Sequence, residues 1–147
     1  MELDSDQIAK ILPQSYPFIM IDRVVDFEKD KSLTAIKNIT GNEWMFGSPG
    51  TASGVNVFPE TLLIEAAAQA ALILYHLSKI KEGEKHPKYI WGKTVASFIN
   101  RVCIGDQLKI VTSATKMFDS LGFMDSKLSV DTANVADIQI MYSVDKS

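Results

Sequence analysis

The longest apolar stretch of the chain covers residues 62–75, and only Glu65 and Gln69 interrupt it. Alanine, leucine, isoleucine, glutamate and glutamine enter a helix at little cost, and Pro59 suits a first helical position. The pattern therefore predicts a helix over residues 59–76. Because this helix has no polar face, we expect it to lie buried at the centre of the fold.

The two polar residues of this helix are the first candidates for function. Glu65 and Gln69 are four positions apart, so they lie on one side of the helix. A carboxylate inside an apolar helix is costly unless it is paired, protonated or faces a cavity. Two interpretations stay open: a buried carboxylate satisfied by a backbone or tyrosine partner, and a general acid or base in an apolar pocket.

A membrane span is the alternative interpretation of the apolar stretch. Residues 62–77 fall short of the roughly 20 residues that a bilayer requires. Glu65 and Gln69 also lie inside the stretch, and the rest of the chain has the composition of a globular protein. We therefore expect a core helix and no membrane.

The remaining pattern predicts a short helix and a largely antiparallel sheet. Asp4 or Ser5 can cap a helix that extends to Leu12. Alternating apolar and polar residues predict a hairpin, followed after the long helix by four more strands. The predicted strands cover residues 18–27, 32–40, 89–102, 107–118, 122–131 and 136–144. Consecutive strands favour a meander, and the whole is one α+β domain over residues 1–147.

A glycine-rich loop at residues 41–54 precedes the long helix. Trp44, Met45 and Phe46 interrupt its small and polar residues, and no Gly-Lys-Ser/Thr follows, so it is not a phosphate-binding P-loop. One interpretation is an ordinary surface loop. The other is a loop that holds a ligand beside the helix start.

Composition narrows the function classes. The 147 residues carry a net charge of −3, which gives no sign of a nucleic-acid surface. The single cysteine, Cys103, cannot form an internal disulfide, and the N-terminus lacks the apolar core of a secretory signal, so we expect a cytoplasmic protein. His76 and His86 are the only histidines, and no HExxH or CxxC pattern exists. We expect no metal and no cofactor, and a structural role for His76 at the helix end.

Four segments together resemble a known family. LPQSYPFIMIDRV, AIKNITGNEWMF, FPETLLIEAAAQAA and SFINRVCIGDQLKI occur in this order. They resemble the FabZ-type 3-hydroxyacyl-acyl-carrier-protein dehydratases over roughly residues 11–141. The resemblance implies a hotdog fold, in which a curved antiparallel sheet wraps a long central helix. It also implies a dimer with joined sheets and acyl tunnels at the interface.

The resemblance also assigns site residues. The family's catalytic glutamate falls on Glu65, and its histidine falls on Thr51, but no histidine occurs in residues 1–75. Phe58-Pro59-Glu60 replaces the family's Met-Pro-Gly. The substrate-binding residues that the resemblance implies are Thr51, Gly54, Val57, Phe58, Pro59, Glu60, Gln69 and Phe98.

The missing histidine decides which activities to expect. Dehydration of a 3-hydroxyacyl thioester needs one group to take a proton and another to help hydroxide depart. Thr51 has no useful basicity, and the Glu60 carboxylate would oppose negative charge developing on the thioester oxygen. We therefore expect a poor dehydratase when the chain is alone.

Three functions remain open for an acyl-carrier-protein or acyl-CoA thioester ligand. The first is a subunit that pairs Glu65 with the histidine of a catalytic paralogue in a heterodimer. The second is a thioesterase that uses Glu65 or, as the weaker candidate, Glu60. The third is a non-enzymatic acyl-binding homodimer. Because acyl carrier proteins are acidic, a docking patch should be basic, and Lys93, Arg101 and Lys109 are its candidates.

Overall fold

The structure, a computed structural model, describes residues 2–46 and 56–147. Within these ranges it contains two α-helices, one short 3-10 helix and six strands. In chain order they are α1 (Ser5–Ile11), β1 (Arg23–Glu28), β2 (Ser32–Asn38), the 3-10 helix (Trp44–Phe46), α2 (Glu60–Lys79), β3 (Lys88–Phe98), β4 (Gln107–Met117), β5 (Leu121–Val130) and β6 (Ala133–Asp145).

Helix α2 is the predicted central helix. Pro59 stands just before its first turn with an extended backbone, and the helix ends where the Ile80 N–H donates to the His76 carbonyl at 3.0 Å. Although α2 is long and apolar enough to cross a bilayer, 67% of its most apolar window is buried inside the fold. The prediction of a buried core helix is therefore confirmed, and the helix extends past His76 to Lys79.

The sheet is entirely antiparallel, with the strand order β1-β2-β4-β5-β6-β3. The predicted hairpin of β1 and β2 is confirmed. The predicted meander is wrong at one place, because β3 pairs with β6 and leaves β4 to pair with β2. Two backbone hydrogen bonds hold the crossover that follows β3. The Ile99 N–H donates to the Val135 carbonyl at its start, and the Gly105 N–H donates to the Ile39 carbonyl near its end.

The core lies between α2 and one face of the sheet, where α2 contacts β2, β4, β5 and β6. Inward positions of the strands alternate with outward ones, as a sheet with one buried face requires. Ala66, Ala67, Ala70 and Ala71 of α2 are fully buried and let the helix approach the sheet closely. The inward face also includes Thr112 and Ser126, whose hydroxyls hydrogen-bond each other at 2.9 Å and so remain satisfied.

Strand β3 forms one edge of the sheet and is mostly exposed. Its side chains and those just after it include several large apolar residues in water, among them Ile90 (58% exposed), Val95 (48%) and Ile99 (53%). Strand β1, at the other edge, is partly covered, because Leu3 bridges to Val24. The two edges of the sheet thus differ in how much of their surface is left uncovered.

Candidate active site

The site begins where the segment before β1 meets α2. Gln69 is fully buried, its side-chain amide donates to the Phe18 carbonyl at 2.7 Å, and its carbonyl oxygen accepts the Met20 N–H at 2.7 Å. These bonds fix which way the amide points. They also explain an incorrect prediction: Phe18 and Met20 do not belong to the first strand, because their backbone groups bind Gln69 and the strand begins at Arg23.

Glu65 lies one helical turn before Gln69 and is half-buried. Its Oε1 accepts an N–H from Gln69 at 2.9 Å and another from Gln14 at 3.2 Å. Its Oε2 accepts no hydrogen bond from any residue within 2–46 or 56–147. Among the described residues, the partners are therefore side-chain amides, and neither the backbone nor a tyrosine. These amides hold one of the two carboxylate oxygens in place.

Gln14 also lines a cavity of about 450 Å³, to which α2 contributes Leu72. This volume is in the range of small-molecule sites, and such sites are mostly apolar with few polar groups. The wall is built from the segment before β1, from α2 and from the start of β3: Pro13, Gln14, Leu72, Pro87, Lys88, Tyr89, Ile90 and Trp91. Glu65 is not among these lining residues, and the cavity connects Gln14, which binds that carboxylate, with the exposed edge strand.

Four aromatic rings cluster beside the far wall of the cavity. The Tyr75 ring lies 5.7 Å from the rings of Tyr89 and Tyr142, and Trp91 lies 5.5 Å from Tyr142. The Tyr75 hydroxyl donates to the Asp119 carbonyl at 2.6 Å, and burial, together with Asp119 and Glu84, raises the pKa of Tyr75 to about 12. Tyr89 and Trp91 of this cluster line the cavity, whereas Tyr75 and Tyr142 do not.

Three of the predicted substrate-binding residues lie away from this cavity wall. Val57 is half-buried and pairs with Cys103 in an isolated bridge, and Phe58 is buried with its ring 6.4 Å from that of Phe46. Phe98 is partly exposed at the end of β3. The cavity that Gln14 lines is not lined by any of these three side chains.

The other predicted residues lie around the helix start. Pro59 precedes α2, and Glu60 is exposed in its first turn. Gln69 is part of the hydrogen-bonded site beside Glu65. Thr51 and Gly54 lie outside the described residues.

The histidines sit at the opposite end of α2. His76 follows Glu65 by about 16 Å along the helix axis, at 1.5 Å per residue. The ring of His86 is 5.0 Å from that of His76, a contact that the sequence did not predict. Burial, and secondarily His86, lowers the pKa of His76, which disfavours the predicted role as a positive partner for the helix end. Lys79 is the positive residue of the last turn.

Sequence reasoning found Glu65 and Gln69 but missed the residues that orient them. Gln14 and the backbone of Phe18 and Met20 precede their partners Glu65 and Gln69 by about fifty positions, and no local spacing connects them.

The loop that follows β2 also supports the segment before β1. The Trp44 indole donates to the Pro17 carbonyl at 3.1 Å, and Lys37 forms a buried ion pair with Glu43.

Comparison with known proteins now places this site in a family. The model of the FabA-like domain matches residues 12–139, a span that includes Gln14, Glu65 and Gln69. The chain belongs to the FabA-like family. A 3-hydroxyacyl-[acyl-carrier-protein] dehydratase FabZ of Nitratiruptor sp. is 37% identical over 142 residues, which are 94% of this chain and 95% of that relative. A FabZ of Coxiella burnetii is 40% identical over 135 residues, 91% of this chain and 94% of the relative.

Solved structures show the fold of this FabA-like chain. A dehydratase heterocomplex, ApeI:P from Xenorhabdus doucetiae, matches with a TM-score of 0.78 at 13% identity, covering 92% of this chain and 89% of that one. A mutant thioesterase from Pseudomonas aeruginosa matches with a TM-score of 0.71 at 14% identity, covering 99% and 96%. The predicted hotdog fold is confirmed, and the family supports a dehydratase-like function on acyl thioesters.

Proposed function

We propose that this FabA-like chain is an acyl-thioester-binding subunit of fatty acid or polyketide-type biosynthesis in the cytoplasm. It has little dehydratase activity alone and completes one catalytic site with a histidine-bearing paralogue. The observation that carries the proposal is the Glu65 carboxylate, anchored at one oxygen by Gln14 and Gln69, in a chain whose two histidines lie at the far end of α2. In the proposed site, this chain supplies one of the two acid–base groups that dehydration requires.

The chemistry explains why a subunit with only one of the two acid–base groups is useful. Dehydration removes a proton from the α carbon and expels hydroxide from the β carbon, so a base and an acid must both be in place. In the dehydratases that the sequence resembles, the histidine and the glutamate of one site come from opposite subunits. A mixed dimer would therefore contain one complete site, with Glu65 facing the paralogue's histidine, and one incomplete site.

The edge strand β3 supports a dimer of either kind. Its outer edge leaves backbone N–H and C=O groups available for another strand, and unprotected edges of this length invite pairing. The exposed Ile90, Val95 and Phe98 would become buried in such a contact. A heterocomplex of dehydratases with this fold exists in Xenorhabdus doucetiae, which supports a mixed assembly here.

A groove on the outer face of the sheet supports docking of an acidic acyl carrier protein. One cross-strand row contains Lys93, Met141, Phe123 and Lys116, from β3 to β4. These residues line a groove of about 440 Å³ with an apolar floor between two lysines. Lys109 does not belong to this row, since it pairs with Ile36 and Ser129. Lys116 therefore replaces Lys109 as the partner of Lys93 in the proposed patch.

Reversing the charge of this groove tests the docking surface. We expect the double variant Lys93→Glu/Lys116→Glu to weaken binding of an acyl carrier protein by about tenfold at low salt, and by less at high salt, because screening removes surface attraction. Fluorescence anisotropy with a labelled carrier protein measures the Kd. Lys109→Glu is the matched control, and an equal effect of that control would refute the assignment.

The decisive experiment is a mixed dimer with distinguishable subunits. This chain and a catalytic FabZ-type paralogue from the same genome are co-expressed with different tags, purified over both tags, and assayed on a 3-hydroxyacyl-acyl-carrier-protein. We expect Glu65→Gln in this chain to lower the mixed dimer's rate at least about a hundredfold, because it removes one acid–base group. Glu82→Gln, in the exposed turn after α2, is the control.

Three results would overturn the proposal. They are failure of the mixed dimer to form, a rate that ignores Glu65→Gln, and brisk dehydration by the purified chain alone. Binding of acyl ligands without turnover in any combination would instead indicate the non-enzymatic homodimer.

A thioesterase is the second candidate, favoured by one observation. Glu65 Oε2 is open within the described residues, and a single carboxylate is enough to activate water for thioester hydrolysis. A panel of acyl thioesters with free thiol as the readout tests it. Turnover by the chain alone that is lost in Glu65→Ala would support this candidate over the mixed dimer.

A further inference from the structure

The uncovered edge strand β3 carries positive charge and no negative charge. Of its eleven residues, Lys88 and Lys93 are the only charged ones. Lys88 lies opposite Asp145 on β6, whereas Lys93 lies opposite Met141 and forms no ion pair with any described residue. Because Lys93 is exposed, it presents its charge to any strand that pairs with this edge.

Self-pairing of this edge places two copies of Lys93 side by side. Two identical edge strands that join their sheets in an antiparallel pair are related by a two-fold axis perpendicular to the sheet. Such an axis keeps every residue on the same face of the sheet, so the residue at the axis lies opposite its own copy. Lys93 is the middle residue of Lys88–Phe98, and it therefore faces itself when the two strands overlap completely.

Other registers do not remove this contact between like charges. Moving the axis by one residue, to Gly92 or Thr94, shortens the overlap by two of the eleven residues. The two Lys93 side chains are then diagonal neighbours on one face, roughly 7–8 Å apart. Because β3 has no acidic residue, no register of two identical strands sets a β3 carboxylate opposite Lys93. Like charges that face each other across strands are destabilising, and opposite charges are stabilising.

We propose that Lys93 selects the partner of this edge. It disfavours a second copy of this chain and favours a FabA-like subunit with an aspartate or glutamate at the middle of its own edge strand. Charged side chains on an exposed edge, lysine above all, oppose unwanted pairing, while the exposed Ile90, Val95 and Phe98 still favour an intersubunit contact. The inference rests on the proposed dimer through β3 and gives a physical reason for a mixed dimer over a homodimer.

The test uses a variant of this chain as the acidic partner. Lys93→Glu places a carboxylate at the middle of β3, so a dimer of one unaltered and one altered chain has opposite charges at the axis, whereas either homodimer has like charges. The two chains are co-expressed with tags of different mass and incubated, without any carrier protein, until the proportions of the three dimers no longer change. Native mass spectrometry then gives the mixing ratio, the square of the mixed dimer's concentration divided by the product of the two homodimers' concentrations.

The reference is the mixing ratio of two differently tagged copies of the unaltered chain. We expect Lys93→Glu to raise the mixing ratio with the unaltered chain about tenfold above this reference at about 0.1 M salt, and by less at about 1 M salt, because screening weakens both attraction and repulsion. Lys93→Met removes the charge without adding an attraction, so we expect a smaller rise of about threefold.

A matched control separates the charge at the axis from a general effect of charge. Lys109→Glu makes the same change at an exposed position of β4, which lies three strands and therefore about 14 Å from β3. That distance exceeds the screening length at about 0.1 M salt, so its mixing ratio should stay within about twofold of the reference.

The outcomes distinguish this inference from the proposed function. If no dimer forms in any mixture, the proposed dimer and the inference fall together. If dimers form but Lys93→Glu mixes no better than the reference or than Lys109→Glu, only the charge selection is wrong. An excess of mixed dimer that is undiminished at about 1 M salt would also refute the role of the Lys93 charge.

Discussion

The two ends of α2 treat polar groups in opposite ways. Near its start, the Gln69 amide is bound to two backbone groups and to Glu65, and Gln14 completes the arrangement. Near its end, the hydroxyl of Tyr142 and Nδ1 of His76 are buried without partners among the described residues. The Gln69 amide is thus fully satisfied, although Oε1 of Gln14 beside it has no partner among the described residues, and the two groups at the second end have none there either. The fixed Gln69 amide holds the Glu65 carboxylate at one oxygen.

Removing the Gln69 amide tests this contrast with the largest expected effect. Gln69→Leu should lower the free energy of unfolding by about 2–4 kcal/mol, because the Phe18 carbonyl and the Met20 N–H would lose their only partner in the described structure. Urea unfolding followed by circular dichroism measures the change. Gln107→Leu, the same substitution at an exposed glutamine, should change it by less than about 1 kcal/mol.

Removing the unpaired Tyr142 hydroxyl near the other end of α2 should not lower the free energy of unfolding. Tyr142→Phe removes a buried hydroxyl that has no partner within residues 2–46 and 56–147, and it keeps the ring against Tyr75 and Trp91. We expect the free energy of unfolding to stay constant or to rise by up to about 1 kcal/mol, because replacing an unpaired polar group is neutral or stabilising. Thermal melting of both proteins measures the difference. A loss above about 1 kcal/mol would mean that this hydroxyl is bonded in solution.

The smallest expected effect concerns pH. The pKa of His76 is lowered in the fold, by burial first and then by His86, so the folded state favours the neutral ring. This contribution to stability is present above the unfolded pKa of roughly 6.5 and is lost as pH falls through the lowered folded pKa. Below pH 6.5, the free energy of unfolding should fall less steeply in His76→Gln than in the unaltered chain. Parallel slopes in urea titrations at several pH values would contradict this account.

Local pattern was enough to predict part of this molecule. The unbroken apolar run predicts α2, and alternation in β2 predicts the hairpin, because both depend on neighbours in sequence. The four-residue spacing of Glu65 and Gln69 likewise predicts that they share one side of the helix.

What the sequence could not predict depends on contacts between distant segments. The position of β3 beside β6 depends on a crossover held by Val135 and Ile39, which no local pattern encodes. The partners of Glu65 and Gln69 come from a proline-containing segment whose backbone bonds to a side chain and not to a strand. The contact of His76 with His86 arises because the turn after α2 folds back on the helix end.

The cavity wall includes Tyr89, Ile90 and Trp91, and all three belong to the strand whose outer edge is uncovered. A chain that pairs along this edge would therefore reshape the ligand's surroundings. Thermodynamic linkage then requires the converse: a ligand that fits one combination of subunits stabilises that combination over others. If the proposed acyl binding holds, assembly and ligand choice form a single coupled equilibrium, in which the combination of subunits sets the favoured ligand.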